Sequence, residues 1–358
     1  NEKSVLIVEG GPGTGKSVLA INLLKQFLNR SLNSFYVTKN SAPREVFKAK
    51  LKIDKMSGLN NLFKGSGSFY DCEPNSFDVL IVDEAHRLNK KSGLFSNLGE
   101  NQIKEIINSS LFSIFFIDEN QRVTLKDNGS IDEIKKYARY YNAGIHKMEL
   151  KSQFRCDGSD GYLAWLDNVL DIRETANFDL DSKYDFKVFD DPNELRKAIK
   201  EKNKINNKSR LVAGYCWNWI SEGKNKSDVY DIIIPEYNFG MSWNLGNSST
   251  WAIDKESVNE IGCIHTCQGL EFDYVGVIIG DDLRYENDHI ITDYTKRAKT
   301  DQSIKGINKI AKEEGLEEAK RITDLIIKNT YKTLMTRGMK GCYVYCTDKK
   351  LNEYLKNR

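Results

Sequence analysis

The octapeptide Gly10-Gly11-Pro12-Gly13-Thr14-Gly15-Lys16-Ser17 constrains this chain more than any other stretch. Before it, Val5-Leu6-Ile7-Val8 is short, apolar and β-branched, which reads as a buried strand. After it, Val18, Leu19, Ile21, Leu23 and Leu24 keep a helical rhythm. Strand, glycine-rich turn and helix form the setting that the pattern G-x-x-x-x-G-K-S/T requires. The glycines let backbone N–H groups wrap phosphate oxygens, and the helix N-terminus adds its positive dipole. Lys16 is placed for the β- and γ-phosphates and the Ser17 hydroxyl for Mg²⁺. The stretch therefore predicts a nucleoside triphosphate site, against the plainer reading of a glycine-rich turn with a chance Lys-Ser.

Cleaving such a nucleotide needs a carboxylate for the metal shell and a base to orient the attacking water. Asp83 and Glu84 follow the apolar run Phe77-Asp78-Val79-Leu80-Ile81-Val82, at the carboxyl end of a predicted parallel strand. Asp83 is assigned to Mg²⁺ and Glu84 to the water; the competing reading is two acids capping a strand. The run Leu111 to Ile117 delivers Asp118-Glu119-Asn120-Gln121 in the same way. The Gln121 carboxamide can both donate to a γ-phosphate and accept from the water. His86 either couples the γ-phosphate to a second domain or is a polar residue at the sheet edge.

Further strands are predicted at 34–37 and 145–150, with a helix through Tyr141 opened by the capping box Ser130/Glu133. The stretch from about Lys50 to Ser76 reads as a loop-rich connection. Strands alternating with helices imply a parallel sheet covered on both faces. A second unit begins at Lys151, with strands at 186–189, 209–215, 261–265, 273–279 and 341–346. Asp191-Pro192-Asn193-Glu194 starts a helix, 238–251 reads as irregular, and 296–328 as solvated helices.

A net charge of +2 provides no basic tail, so any nucleic-acid surface must be a local groove. The 7 Cys form no C-x-x-C pair and no complete zinc set, which suggests free thiols in a reducing cytoplasm. No apolar run approaches the ~18–20 residues that span a bilayer, so no membrane partner is expected. The chain opens almost directly on a core strand without an initiator Met, which suggests a piece of a longer polypeptide.

The order of these signatures resembles the superfamily 1 helicases, and more closely the Schlafen-like (group 3) DNA/RNA helicase domain family, from Val5 to Thr347. Gly10–Ser17 is similar to motif I, Thr38-Lys39 to motif Ia, Asp83–His86 to motif II and Asp118–Gln121 to motif III. Leu150–Arg155 is similar to motif IV, His265–Asp273 to motif V and Leu334–Gly341 to motif VI. The resemblance implies an α/β fold of two RecA-like domains, each a mainly parallel sheet flanked by helices. Motifs I, Ia, II and III fall in residues 1–150, and IV, V and VI in 151–358.

It further implies an ATP- and Mg²⁺-dependent motor on single-stranded DNA or RNA, hydrolysing ATP in a cleft between the domains. Lys16, Glu84, Gln121, Arg155 and Arg337 would be catalytic, the two arginines acting as fingers on the γ-phosphate. Gly269 and Glu271 would meet the nucleotide, and Gln268 would link nucleotide state to closure. Thr38, Lys39 and Thr266 would hold nucleic acid.

The chain departs from processive helicases in several places. Arg122-Val123-Thr124-Leu125 stands where aromatics usually follow motif III. Trp217, Trp219 and Trp243 are available for base stacking, although core packing is the favoured reading. The interval between motifs Ia and II leaves little room for an accessory domain, and the adenine-reading glutamine would precede motif I by more residues than the chain has. These departures motivate an alternative: a nucleotide-gated binding or regulatory module coupled to an effector domain outside this stretch, such as a nuclease, without unwinding. Schlafen-like helicase domains occur beside such modules in defence-related proteins. A small-molecule kinase would explain Gly10–Ser17 but not Arg337 or Glu271.

Overall fold

The structure, a computed structural model, describes residues 2–50, 58–93, 96–151, 160–180, 183–220, 229–244 and 250–358. The chain forms two compact units: Asn1–Arg122 with Lys126–Phe154, and Val123–Leu125 with Arg155–Arg358.

The first unit runs β1 (Ser4–Gly10), α1 (Lys16–Asn29), β2 (Ser34–Thr38), α2 (Ser41–Lys50), β3 (Phe63–Gly65), β4 (Phe77–Val82), α3 (Gln102–Ser109), β5 (Ser110–Ile117), α4 (Ile131–Tyr140) and β6 (Gly144–Leu150). Its strands make one sheet in the order β3-β2-β4-β5-β1-β6, every pairing parallel. The apolar runs are continuous because alternate residues serve opposite faces. Val37, Leu80, Val82, Phe115 and Ile117 pack with Ile103, Ile106 and Ile134 of α3 and α4. Tyr36, Val79, Ile81, Ile114 and Phe116 pack on the other face with Ala20 and Leu24 of α1. Asn101 caps α3, and Ser130 caps α4 by accepting from the Glu133 amide at 3.0 Å. The loop-rich reading of 50–76 missed β3, whose three residues are too short to leave a pattern.

The second unit runs α5 (Asp160–Val169), β7 (Asp185–Val188), α6 (Pro192–Asn206), β8 (Ser209–Ala213), β9 (Ile232–Ile234), β10 (Phe239–Met241), β11 (Ile261–Gly262), α7 (Ile264–Cys267), β12 (Phe272–Ile279), β13 (Leu283–Glu286), β14 (His289–Thr292), α8 (Ile307–Glu313), α9 (Leu316–Met335), β15 (Gly338–Cys346) and α10 (Lys349–Lys356). Its main sheet, β11-β8-β12-β15-β7, is again parallel throughout. Asp191 caps α6 through the Asn193 amide.

Three expectations change here. The run 261–265 is a two-residue strand followed by a short helix, since Thr266 and Cys267 amides bond back to the Cys263 carbonyl. Helix α9 is not merely solvated: Ile326, Ile327, Tyr331, Leu334 and Met335 are buried along one face. The stretch taken as irregular contains β10. Trp243 is fully buried, stacked between Tyr215 and Trp219 at 5.4 and 6.0 Å, so it serves the core. Among the described residues, no helix is long and apolar enough to cross a membrane.

Candidate nucleotide site and its surroundings

The phosphate loop hangs between β1 and α1. Gly15, at φ 84°, occupies the left-handed region as N-cap of α1, a conformation that glycine adopts without steric cost. Lys16 is 6% exposed, and its ammonium donates to the Gly10 and Gly11 carbonyls, each at 2.7 Å. Thr14 ties the loop by donating to the Gly11 carbonyl at 2.9 Å.

Because β1, β5 and β4 are parallel neighbours, their carboxyl ends meet at one edge of the sheet. There the Ser17 hydroxyl donates to Asp83 Oδ2 at 2.6 Å. The Tyr36 hydroxyl, on β2, donates to the same oxygen, also at 2.6 Å. The Glu84 amide donates to Oδ1 at 2.9 Å. Burial, and next the Glu84 charge, raise the Asp83 pKa against the lowering effect of the two hydroxyls. Burial and Asp83 hold the Tyr36 phenol well above its usual range, so it stays a donor. A hydroxyl and a carboxylate converge here, while no group of three or more His, Cys, Asp or Glu able to hold a metal ion by itself occurs among the described residues. This hard-oxygen donor set fits Mg²⁺, which binds through one or two carboxylates and the phosphates of its nucleotide. Ser17 and Asp83 would hold it.

Glu84 sits in the left-handed region at φ 54°, a conformation that costs a non-glycine residue about 1–3 kcal/mol. It is 7% exposed, with His86 beside it at 0%. Its Oε2 lies 2.9 Å from His86 Nε2. Gln121 donates to Asp118 Oδ2 at 2.7 Å and is likewise buried. Thus Lys16, Ser17, Asp83, Glu84 and Gln121 all lie at the carboxyl ends of the first unit's central strands.

The proposed nucleic-acid contacts of this unit are less available. Thr38, the last residue of β2, is fully buried. Lys39 donates to Asn89 at 2.9 Å and to Asp127 at 3.3 Å, and Arg87 holds the same Asp127 oxygen at 3.0 Å. Burial first, then Arg87, lower the Lys39 pKa to about 8.

In the second unit, Arg337 follows α9 and is fully buried. It donates to the Thr333 carbonyl at 2.9 Å and the Leu270 carbonyl at 3.2 Å. Gly269 has φ 80°, and Glu271 just beyond it is exposed. Gln268 is fully buried. Thr266 donates to Asn244 at 3.0 Å. Arg155 lies outside the described residues.

Sequence reasoning missed Tyr36, whose hydroxyl meets Asp83 only through the pairing of β2 with β4. It also missed Asp127, a partner visible only once the turn after β5 folds back over Lys39.

A parallel sheet carrying this loop at the end of its first strand defines a P-loop NTPase fold. Residues 3–348 match the family described as "Schlafen group 3, DNA/RNA helicase domain", and the chain belongs to that family. It is 26% identical to the uncharacterized protein YPL245W of Saccharomyces cerevisiae, covering 98% of this chain and 84% of that one. A solved structure, the Pif1 helicase from Bacteroides in complex with ADP-AlF3 and ssDNA, overlaps 85% of this chain and 88% of that one. Its identity is 11% and its TM-score 0.34, too loose a likeness to transfer any residue's role.

Proposed function

We propose that this helicase-family chain is an ATP- and Mg²⁺-dependent nucleic-acid motor of the superfamily 1 type, hydrolysing ATP in response to single-stranded DNA or RNA. The observation that carries the reading is the meeting of Ser17 with Asp83 at 2.6 Å beside the loop that cradles Lys16. Magnesium, when bound, would draw negative charge from the β- and γ-phosphates. Lys16 would exchange its loop carbonyls for phosphate oxygens. Glu84 would accept a proton from the attacking water, and Gln121 would orient that water. Gly269 and Glu271 would meet the nucleotide, while Arg155 and Arg337 would neutralise the γ-phosphate in the transition state. Lys39 and Thr266 would engage the strand's backbone, whereas Thr38, fully buried, would not reach it in this conformation.

The test is steady-state ATPase activity with panels of single-stranded and duplex DNA and RNA. Stimulation by a single strand supports the motor. Equal hydrolysis with and without every strand would sink the motor while leaving the NTPase.

A further inference from the structure

We propose that Tyr36 is a positioning residue for the metal-bearing nucleotide, orienting the Asp83 carboxylate toward Ser17; this rests on the proposed nucleotide and metal site above. Tyr36 is fully buried and packs with Val8, Ala20, Leu24, Val79, Ile81, Ile114 and Phe116. A phenol in such surroundings needs a hydrogen-bond partner. Its partner is Asp83 Oδ2, and not a nearby backbone carbonyl.

Ser17 and Tyr36 reach the same carboxylate oxygen from different elements, α1 and β2, each at 2.6 Å. Oδ1 meanwhile receives the Glu84 amide. Rotation of the carboxylate would break three bonds together. Ser17 is itself a proposed metal ligand and must change its engagement when the nucleotide arrives. Tyr36 is the side-chain donor on Asp83 with no such second duty.

The ring is held in turn. Phe47 of α2 meets it edge-on at 6.0 Å, and Phe63 of β3 lies at 5.5 Å. Both aromatics come from the segment following Thr38 and Lys39. The orientation of the metal-side carboxylate is therefore fixed by packing directly beyond the proposed strand contacts. Outer partners of this kind are typically worth about 10–100-fold in metal affinity.

The experiment is equilibrium binding of a fluorescent ADP analogue, first in EDTA and then across a Mg²⁺ titration. Tyr36→Phe keeps the ring and removes the hydroxyl. The expected result is unchanged affinity in EDTA, with the Mg²⁺ midpoint raised about tenfold or more. Ser17→Ala should raise the midpoint too. Phe47→Leu, which loosens the ring without removing the hydroxyl, should move it in the same direction by less. A purely structural Tyr36 would lower the melting temperature and leave the midpoint alone. That midpoint unchanged in Tyr36→Phe, while Ser17→Ala shifts it, overturns the proposal and spares the nucleotide site. Wild-type binding indifferent to Mg²⁺ overturns the proposal together with the metal assignment to Ser17 and Asp83, and leaves the nucleotide site standing.

Discussion

His86 Nε2 faces Glu84 Oε2 at 2.9 Å, while the Asp118 amide donates to His86 Nδ1 at 3.4 Å. The two side chains are in contact in a buried setting, His86 being 0% and Glu84 7% exposed. The imidazole lies between the turn after β4, which carries Glu84, and Asp118, the residue after β5. Glu84→Gln should lower turnover by about 10²–10⁴-fold. His86→Ala should produce a smaller loss, with nucleotide affinity unchanged, measured by ATPase assay beside direct binding. Wild-type turnover in His86→Ala would remove His86 from the site.

Lys39 supplies a pH test. Its pKa falls from 10.5 to about 8 on folding, by burial above all. Between those values the unfolded chain holds a proton that the folded one has released, so stability rises with pH across that window. The charge available to a phosphate runs the other way, present below about pH 8 and lost above it. Fluorescence anisotropy with a labelled single strand, at constant ionic strength, should show affinity falling between pH 7 and 9. Lys39→Arg should flatten that fall, because a guanidinium stays charged. An equally steep fall in Lys39→Arg would place the titrating group elsewhere.

Arg337 is the donor to the Thr333 and Leu270 carbonyls of its own unit. Arg337→Ala should therefore cost stability, about 1–3 kcal/mol for buried acceptors left unmet. If the arginine also acts on the γ-phosphate, turnover should fall about 10³–10⁵-fold well below the variant's melting temperature. Thermal unfolding and single-turnover hydrolysis on the same preparation separate the effects. A rate loss matching only the unfolded fraction would leave Arg337 structural.

Gly129 packs its backbone against the residue after Glu84. A Cβ there would stand 1.8 Å from the Ala85 carbonyl oxygen and 2.8 Å from His86 Cα. Gly129→Ala must displace backbone, and overpacking of this kind costs about 1–3 kcal/mol. Calorimetry should show a lower Tm, and turnover should fall in the surviving folded protein because the Glu84–His86 pair shifts with Ala85. A variant of unchanged Tm would contradict the contact.

The central strands were legible because β1, β4 and β5 are buried on both faces and so read as unbroken apolar runs. The residues delivered by those strands, Asp83, Glu84 and Gln121, were legible for the same reason. Elements with few residues were not: β9 and β10 have three residues each, too few for a period. The hairpin of β13 and β14 did carry a signal, Asn287-Asp288, both at positive φ as a two-residue hairpin turn requires. The Tyr36–Asp83 bond depends on register, with Tyr36 opposite Ile81 and Val37 opposite Val82, and no local pattern encodes that. The burial of Thr38 and the engagement of Lys39 by Asp127 were hidden likewise, since motif order says nothing about what else folds over a motif.

Lys16 is largely buried, its ammonium resting on the carbonyls of Gly10 and Gly11. Stripping water from a lysine is costly, and here that cost falls within folding, before any nucleotide arrives. If the site binds a triphosphate as proposed, the nucleotide would exchange one set of oxygens for another around a cation that is already in place. Under the proposed function, nucleotide binding would be a swap of partners for Lys16 with little reorganisation of solvent.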